Sequence, residues 1–161
     1  MNTLRGECMY KIVEKKVLNP QVKLMTIEAP FVARKALAGQ FIILRVDEHG
    51  ERIPLTIADY DREKGLVTII YQEVGKTTKA LGELNVGDCL QDFVGPLGKP
   101  SHLDGIKRAC VIGGGLGCAI AYPQAKELHR LGAKVDIIAG LKVEMLVMYL
   151  VNRTLLSSLI G

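Results

Sequence analysis

Three short stretches of the 161-residue chain combine residue types and spacings that suit phosphate groups and planar rings. One is Gly113-Gly114-Gly115-Leu116-Gly117, preceded by the apolar run ACVI and followed by AIAYPQAKEL. Glycines let a backbone approach a phosphate and aim its N–H groups at it, and a following helix adds its positive amino end. A G-x-G-x-x-G spacing starts at Gly113 and Gly115, with Cys118 in place of the third glycine. Cysteine is small enough for close helix–strand packing, as alanine is. The next strand ends IIAG, without the Asp or Glu that would grip a ribose hydroxyl, so the turn departs from the usual dinucleotide fingerprint. The competing reading is a glycine-rich strand–helix turn that binds nothing.

The second stretch is Arg52-Ile53-Pro54-Leu55-Thr56, within RIPLTIADY. Arg52 offers a fixed cationic fork to a phosphate. Pro54 lacks a donor and stiffens the chain, so the segment can lie against a planar ring. The hydroxyl of Thr56 both donates and accepts. Such a set suits a flavin, and it equally suits an ordinary barrel strand with a surface arginine. The third stretch, Gly75-Lys76-Thr77-Thr78, stands at a helix start, where backbone amides, hydroxyls and the helix dipole favour a pyrophosphate. It lacks the Walker spacing. A threonine N-cap beside a solvated lysine is the plain alternative.

These residues need elements to hold them. YKIVEKKVL and VKLMTIEA alternate apolar and charged residues, QFIILRV and LVTIIYQEV are strongly apolar, and turn residues separate them. The pattern predicts short antiparallel strands from Tyr10 to Gly95, closed into a barrel that leaves few open edges. KTTKALGEL reads as a short helix and CLQDFVGPLGKP as a last strand. Gly98 to Ser101 read as a linker, after which ACVIG, a helix from Ala119 to Leu131 and KVDIIAG spell a βαβ unit. The expected fold is an all-β antiparallel barrel over residues 9–100, then an α/β (βαβ) unit over 106–161.

Composition excludes several classes. Hydrophobic residues make up 48% of the chain, enough for a sizeable core. Aromatics are only 5% with no Trp, and the net charge of +4 is interspersed, so neither stacking platforms nor a basic track for nucleic acid is spelled. Four cysteines, Cys8, Cys89, Cys110 and Cys118, form no C-x-x-C pair, so no metal site is expected. Cys110 and Cys118 are expected to be small buried residues. The start MNTLRGEC is a short polar leader and not a signal peptide, which points to a reducing cytoplasm. His49, His102 and His129 read as turn or surface residues.

The order of the motifs is more specific than any one of them: R-x-P-L-T, then G-K-T-T, then G-P-L-G, then I-G-G-G-x-G. In that order the chain resembles the ferredoxin–NADP reductase superfamily over about residues 9 to 140. ERIPLTIADYD and GGGLGCAIAYPQAKEL resemble most the small (alpha) subunits of NADH-dependent ferredoxin–NADP oxidoreductase, also described as sulfide dehydrogenase beta subunits. Electron-transfer subunits of dihydroorotate dehydrogenase are near relatives. By this resemblance the barrel is FAD-binding and the second unit is a partial α/β nucleotide-binding domain with an atypical tail from 141. The resemblance implies FAD contacts from Arg52, Pro54, Leu55 and Thr56, with Thr56 as the catalytic position near the isoalloxazine ring. It implies Ile70 and Tyr71 lining the flavin, and Gly75, Lys76, Thr77 and Thr78 at its pyrophosphate. Gly113, Gly114, Gly115, Leu116 and Gly117 would meet NAD(P)H. It further implies a larger flavin and iron–sulfur subunit and ferredoxin as partners.

The sequence departs from the family in three places. Arg52 lies four residues before Thr56, where the family has three, and Ile120 stands where a proline is common. Family members also continue for roughly another hundred residues, within usual domain size, and end in cysteines that ligate a [2Fe–2S] cluster, which are absent here. The tail LKVEMLVMYLVNRTLLSSLIG is interrupted by Lys142, Glu144, Asn152 and Arg153 and is a poor membrane span. It reads as a capping amphipathic helix or, preferred, as the mark of a truncation or frame change. Three functions follow: an FAD-dependent NAD(P)H oxidoreductase subunit, the electron-transfer subunit of dihydroorotate dehydrogenase, or an FAD-binding module without turnover of its own.

Overall fold

The computed structural model describes residues 8–140. The polar leader before Cys8 and the tail from 141, with the expectations attached to them, lie outside the described residues. The alternating stretches become strands β1 (Ile12–Asn19), β2 (Val22–Glu28), β3 (Phe41–Arg45), β4 (Ile53–Asp61), β5 (Leu66–Gln72) and β6 (Asp92–Leu97). They form one six-stranded sheet in the order β1-β2-β5-β4-β3-β6, antiparallel at every pairing. β3, β4 and β5 follow one another as neighbours and β6 returns beside β3, which is a Greek key.

The two ends of this sheet meet. Leu90 N–H donates to the Tyr10 carbonyl at 3.0 Å and Ile12 N–H to that of Asp88 at 2.9 Å. Lys11 and Cys89 form an antiparallel bridge between them. A disulfide joins Cys8 to Cys89 across the same seam, with Cα atoms 5.7 Å apart. No sequence pattern announced that pairing.

Period-two alternation fills the barrel from every strand. Ile12, Leu44, Ile57, Ile69, Tyr71 and Phe93 pack in its interior, and Ile53 and Leu55 lean on the same core. On β4 the outward residues are then Pro54, Thr56 and Ala58. A short helix, α1 (Pro30–Lys35), plugs the barrel with Val32 and Ala33. It has Pro30 in its first turn and Arg34 and Lys35 in its last, both favoured placements. The second helix, α2 (Lys76–Glu83), follows β5 and buries Leu81.

The remaining elements are β7 (Arg108–Gly114), α3 (Gly117–Arg130) and β8 (Lys134–Gly140). β7 and β8 pair in parallel, with Ile112 opposite Ile138. α3 lies between this pair and the barrel's outer face. Its Cys118, Ala119 and Tyr122 pack on Leu18, Val22, Leu24, Ala58 and Ile70. Lys126 Nζ reaches Asp59 Oδ1 at 2.7 Å. The linker is fastened down, since Ser101 N–H donates to the Ala38 carbonyl at 2.9 Å and Gln40 Nε2 to that of Gly98 at 2.9 Å. Cys110 corrects an expectation: it is exposed, not buried. α3 covers only the face of β7 that carries Gly113, and Cys110 belongs to the other.

Candidate functional site

The barrel wall opens where the sequence placed its chemistry. β4 and β5 pair only from Ile57 opposite Ile69 to Asp61 opposite Leu66, with a register shift between Ile57 and Asp59. Before that point Ile53 to Thr56 pair with β3, and beyond it Ile70 to Gln72 pair with β2. The two strands diverge, leaving a gap with RIPLT on one lip and Ile70 to Gln72 on the other. α2 begins just beyond the second lip. Its Thr77 Oγ1 lies 3.5 Å from Glu51 Oε2, next to Arg52, so the helix start and the RIPLT strand stand side by side.

The start of α2 is built to stay open. Its N-cap is Gly75, at φ −126° and ψ 174°, extended backbone that any residue adopts. A Cβ on Gly75 would meet nothing within 4 Å. Neither conformation nor packing asks for glycine there, whereas close approach by a ligand does. Thr78 Oγ1 accepts from Val74 N–H at 3.1 Å and Gly75 N–H at 3.0 Å and donates to the Gly75 carbonyl at 3.0 Å. Thr78 thus shapes the turn. The first N–H groups of α2 have no partner inside the helix, and Lys76 is exposed beside them. An open, uncapped, cationic helix start fits a diphosphate.

The strand residues divide by face. Thr56 and Pro54 point outward, on the side where Ala58 and Ile70 meet α3. Leu55 and Tyr71 point into the barrel, Tyr71 being 1% exposed with its hydroxyl 3.6 Å from Met25 Sδ. Both bring only backbone to the gap. Burial, with the Glu73 carboxylate adding to it, pushes the Tyr71 phenol well above its ordinary value, so it is no proton donor to a site. Arg52 keeps 61% of its side chain exposed and pairs with Asp92 at 3.0 Å. Arg45 meets the same carboxylate at 2.7 Å. Asp92 was not foreseen, because it lies 40 residues away in sequence.

The glycine turn shows two kinds of glycine. A Cβ on Gly113 would sit 2.9 Å from Cys118 Cα, so this position exists for strand–helix packing. Gly114, Gly115 and Gly117 would meet nothing within 4 Å, and Gly115 has φ +53°. Leu116 rests its side chain on the barrel cluster and offers its backbone. Cys118 is buried, and burial raises its thiol, which leaves it inert. The turn and the gap are joined by that cluster, which holds Ala58 and Ile70 as well as Cys118. A groove of about 700 Å³ runs further along, between the end of β4 and the carboxyl half of α3. Two of its cations, Lys126 and Arg130, are paired with Asp59 and Glu127. Among the described residues no cluster of three or more His, Cys, Asp or Glu could hold a metal ion, and no helix is long and apolar enough to cross a membrane.

A Greek-key barrel that opens beside an uncapped helix start, followed by a strand, glycine turn and helix, defines the fold of the flavin-dependent reductases. The chain belongs to the oxidoreductase FAD-binding domain family, whose model matches residues 9–102. It is 39% identical over 139 residues to a homolog of the electron transfer subunit of dihydroorotate dehydrogenase B (NAD(+)) from Thermotoga maritima, covering 86% of this chain and 49% of that one. It is 52% identical over 148 residues to a Clostridium beijerinckii protein known only from its place in the adh 3' region, covering 88% of this chain and 50% of that one. The solved structure of an NADH-dependent reduced ferredoxin–NADP oxidoreductase, studied for flavin-based electron bifurcation, superposes with a TM-score of 0.81 at 39% identity, covering 86% of this chain and 50% of that one. The ferredoxin reductase of carbazole 1,9a-dioxygenase shares the fold, with a TM-score of 0.68 at 21% identity, over 81% of this chain and 41% of that one. The resemblance read from the motif order is thereby shown. The chain spans about half the length of the curated relatives it matches.

Proposed function

We propose that the chain is the flavin-bearing part of an electron-transfer subunit that exchanges electrons between NAD(P)H and the iron–sulfur and flavin centres of a larger cytoplasmic partner, with ferredoxin as a further partner. The observation that carries this reading is the gap between β4 and β5, lined by the RIPLT strand and Ile70 and ending at the open start of α2. FAD, when bound, supplies the hydride and single-electron chemistry. The residues of the chain position and shield it. Thr56, on the outward face of β4, would offer its hydroxyl to the flavin ring, and Pro54 on the same face would flank it. Leu55 and Tyr71 contribute backbone, and Ile70 an apolar wall. Gly75, Lys76 and Thr77 hold the pyrophosphate, with Thr78 fixing the turn beneath them. Arg52, tethered by Asp92, stands at the phosphate end. Gly113 to Gly117 receive the nicotinamide nucleotide. No general acid or base is needed.

Two narrower readings have support of their own. The relative from Thermotoga maritima favours a role with dihydroorotate dehydrogenase. The face of β7 and β8 opposite α3, which no element among the described residues covers and where Ile112 is 70% and Ile138 56% exposed, favours an FAD-binding module without turnover of its own. Absorbance in the flavin bands of the purified chain, followed by NADH addition, separates these. A yellow protein bleached by NADH is expected. A yellow protein that NADH leaves unchanged supports the module, and a colourless protein that FAD does not stabilise overturns every version. Copurification of a dihydroorotate dehydrogenase catalytic subunit decides for the pyrimidine role.

A further inference from the structure

α2 is held by its carboxyl end. Eight residues are too few for a helix to stand alone in water, so what fastens α2 also aims it. Its last turn contains no basic residue to meet the negative end of the helix dipole. Two lysines from the barrel wall take that place. Lys15 Nζ donates to the carbonyls of Gly82 at 2.7 Å and Leu84 at 2.5 Å. Lys23 Nζ donates to the Gly82 carbonyl at 3.1 Å and to Glu73 Oε1 at 2.5 Å.

Glu73 belongs to the segment that enters α2, and Gly82 to the turn that leaves it. Lys23 thus ties the entry and exit of the helix together, in a setting where the Lys23 and Glu73 side chains are only 16% and 17% exposed. Gly82 is part of the device. A Cβ there would overlap the Glu73 carboxylate and crowd Lys23 Nζ at 2.9 Å. This explains a buried glycine inside a helix, where glycine is ordinarily less favourable than alanine. The amino end receives the opposite treatment: a glycine cap, a Thr78 hydroxyl turned back to the loop, and first-turn N–H groups left for an outside acceptor.

We propose that Lys15, Lys23 and Glu73 are positioning residues that aim the start of α2 at the pyrophosphate of the flavin nucleotide, and so set the preference of the barrel for FAD over flavins lacking a diphosphate. The inference rests on the FAD reading above. A helix start displaced by a fraction of an ångström loses its short hydrogen bonds to phosphate oxygen while the ring-binding gap stays as it was.

The test is titration of the full chain with FAD and with riboflavin, followed by flavin fluorescence, for the wild type, Lys23→Met, Lys15→Met and Gly82→Ala. Lys23→Met and Gly82→Ala are expected to weaken FAD by about tenfold, the scale of one strong helix-end interaction, and to leave riboflavin within about twofold. Lys15→Met is expected to show the same selectivity to a lesser degree. Lys23→Arg, which keeps the cation, is expected to recover most of the FAD affinity. Equal weakening of both ligands means a general structural role and overturns the proposal, as does unchanged FAD affinity. If Lys23→Met fails to fold, Gly82→Ala and Lys15→Met decide by the same ratio. A wild type that binds riboflavin but does not prefer FAD overturns the positioning role alone. A wild type that binds neither overturns the FAD reading first.

Discussion

The barrel and the βαβ unit treat their surfaces differently. In the barrel, glycines sit where neighbours crowd them: a Cβ on Gly95 would lie 2.6 Å from Ile42 Cγ2, on Gly65 2.9 Å from Pro30 Cβ and on Gly98 2.9 Å from Phe41 Cε1. In the βαβ unit, only Gly113 is crowded in this way, while Gly114, Gly115 and Gly117 face open space. Within the barrel portion the exceptions include Gly75, at the mouth of the proposed pyrophosphate site. Crowded glycines serve the fold, and open ones at a helix start mark where something else must come close. The two halves also differ in closure. The barrel joins the two ends of its sheet and fills its interior, parting only between β4 and β5 among the described strands, whereas β7 and β8 cover one face with α3 and leave Ile112 and Ile138 outside.

Unfolding measurements distinguish the two halves. Phe93 is fully buried in the barrel and packs its ring, tilted by 39°, against Tyr10, with ring centroids 5.9 Å apart. Phe93→Ala should cost about 3–5 kcal/mol in urea unfolding. Ile112→Ala on the open face of β7 should cost under about 1 kcal/mol. Equal costs would mean that the β7–β8 face is covered in solution, and the contrast between the halves would fail. The seam is next in size. Cys8→Ser with Cys89→Ser removes a bridge between residues 81 apart in sequence, for which about 2–4 kcal/mol is the usual loss. The same loss should appear when the wild type is unfolded with a thiol reductant present. No loss would show that the backbone bonds between Tyr10–Ile12 and Asp88–Leu90 close the barrel unaided.

Much of the fold was legible in the sequence because the barrel separates inside from outside residue by residue. The apolar–charged alternation in β1 and β2 follows directly from that, as do the apolar runs of β3 and β5. The glycine turn was legible because strand, glycines and helix are contiguous. α1 escaped, since its six residues span too little chain for a helical period to show. The parting of β4 from β5 also escaped, because it depends on where their ladder stops: Thr56 keeps Phe41 of β3 on one side and Ile70 keeps Leu24 of β2 on the other, and the β4–β5 pairing ends at Ile57 opposite Ile69. Ile70 and Tyr71, read as one lining pair, are consecutive strand residues and so point to opposite faces. The Arg52–Asp92 pair and the Lys15–Lys23–Glu73 clamp join strands distant in sequence, so no local pattern could announce them.

The glycine turn gives a smaller and sharper contrast. Gly113→Ala places a methyl 2.9 Å from the Cys118 backbone and should cost about 1–3 kcal/mol. Gly117→Ala adds a methyl in open space at the first residue of α3 and should raise stability by up to about 1 kcal/mol. On the proposed function the same Gly117→Ala chain should bind NADH more weakly. Thermal melts and NADH titration on the two variants check both halves. A destabilising Gly117→Ala would remove the distinction between crowded and open glycines on which the site reading leans.

The smallest expected effect asks whether the halves unfold as one body. Arg130 Nε and Nη2 grip the Glu127 carboxylate at 2.8 and 2.6 Å on α3. This hydrogen bonding holds the Glu127 carboxyl below its ordinary value of 4.5, against the opposing effect of partial burial. A carboxyl lowered in the folded state adds stability above its unfolded value, and that contribution disappears as pH falls through the lowered one. Glu127→Gln should therefore lower the melting temperature slightly at about pH 7, and the difference should shrink as pH falls below the ordinary carboxylate range. The pair is near the surface, so added salt should shrink the difference further. Where that small shift shows is the informative part. If α3 and the barrel are one cooperative unit through Leu24, Ala58, Ile70, Cys118 and Tyr122, the whole melting transition moves. If the βαβ unit unfolds first, only the early part moves and the barrel transition keeps its midpoint. The glycine turn would then be carried on the less stable half, held to the flavin barrel by a contact that opens before the barrel does.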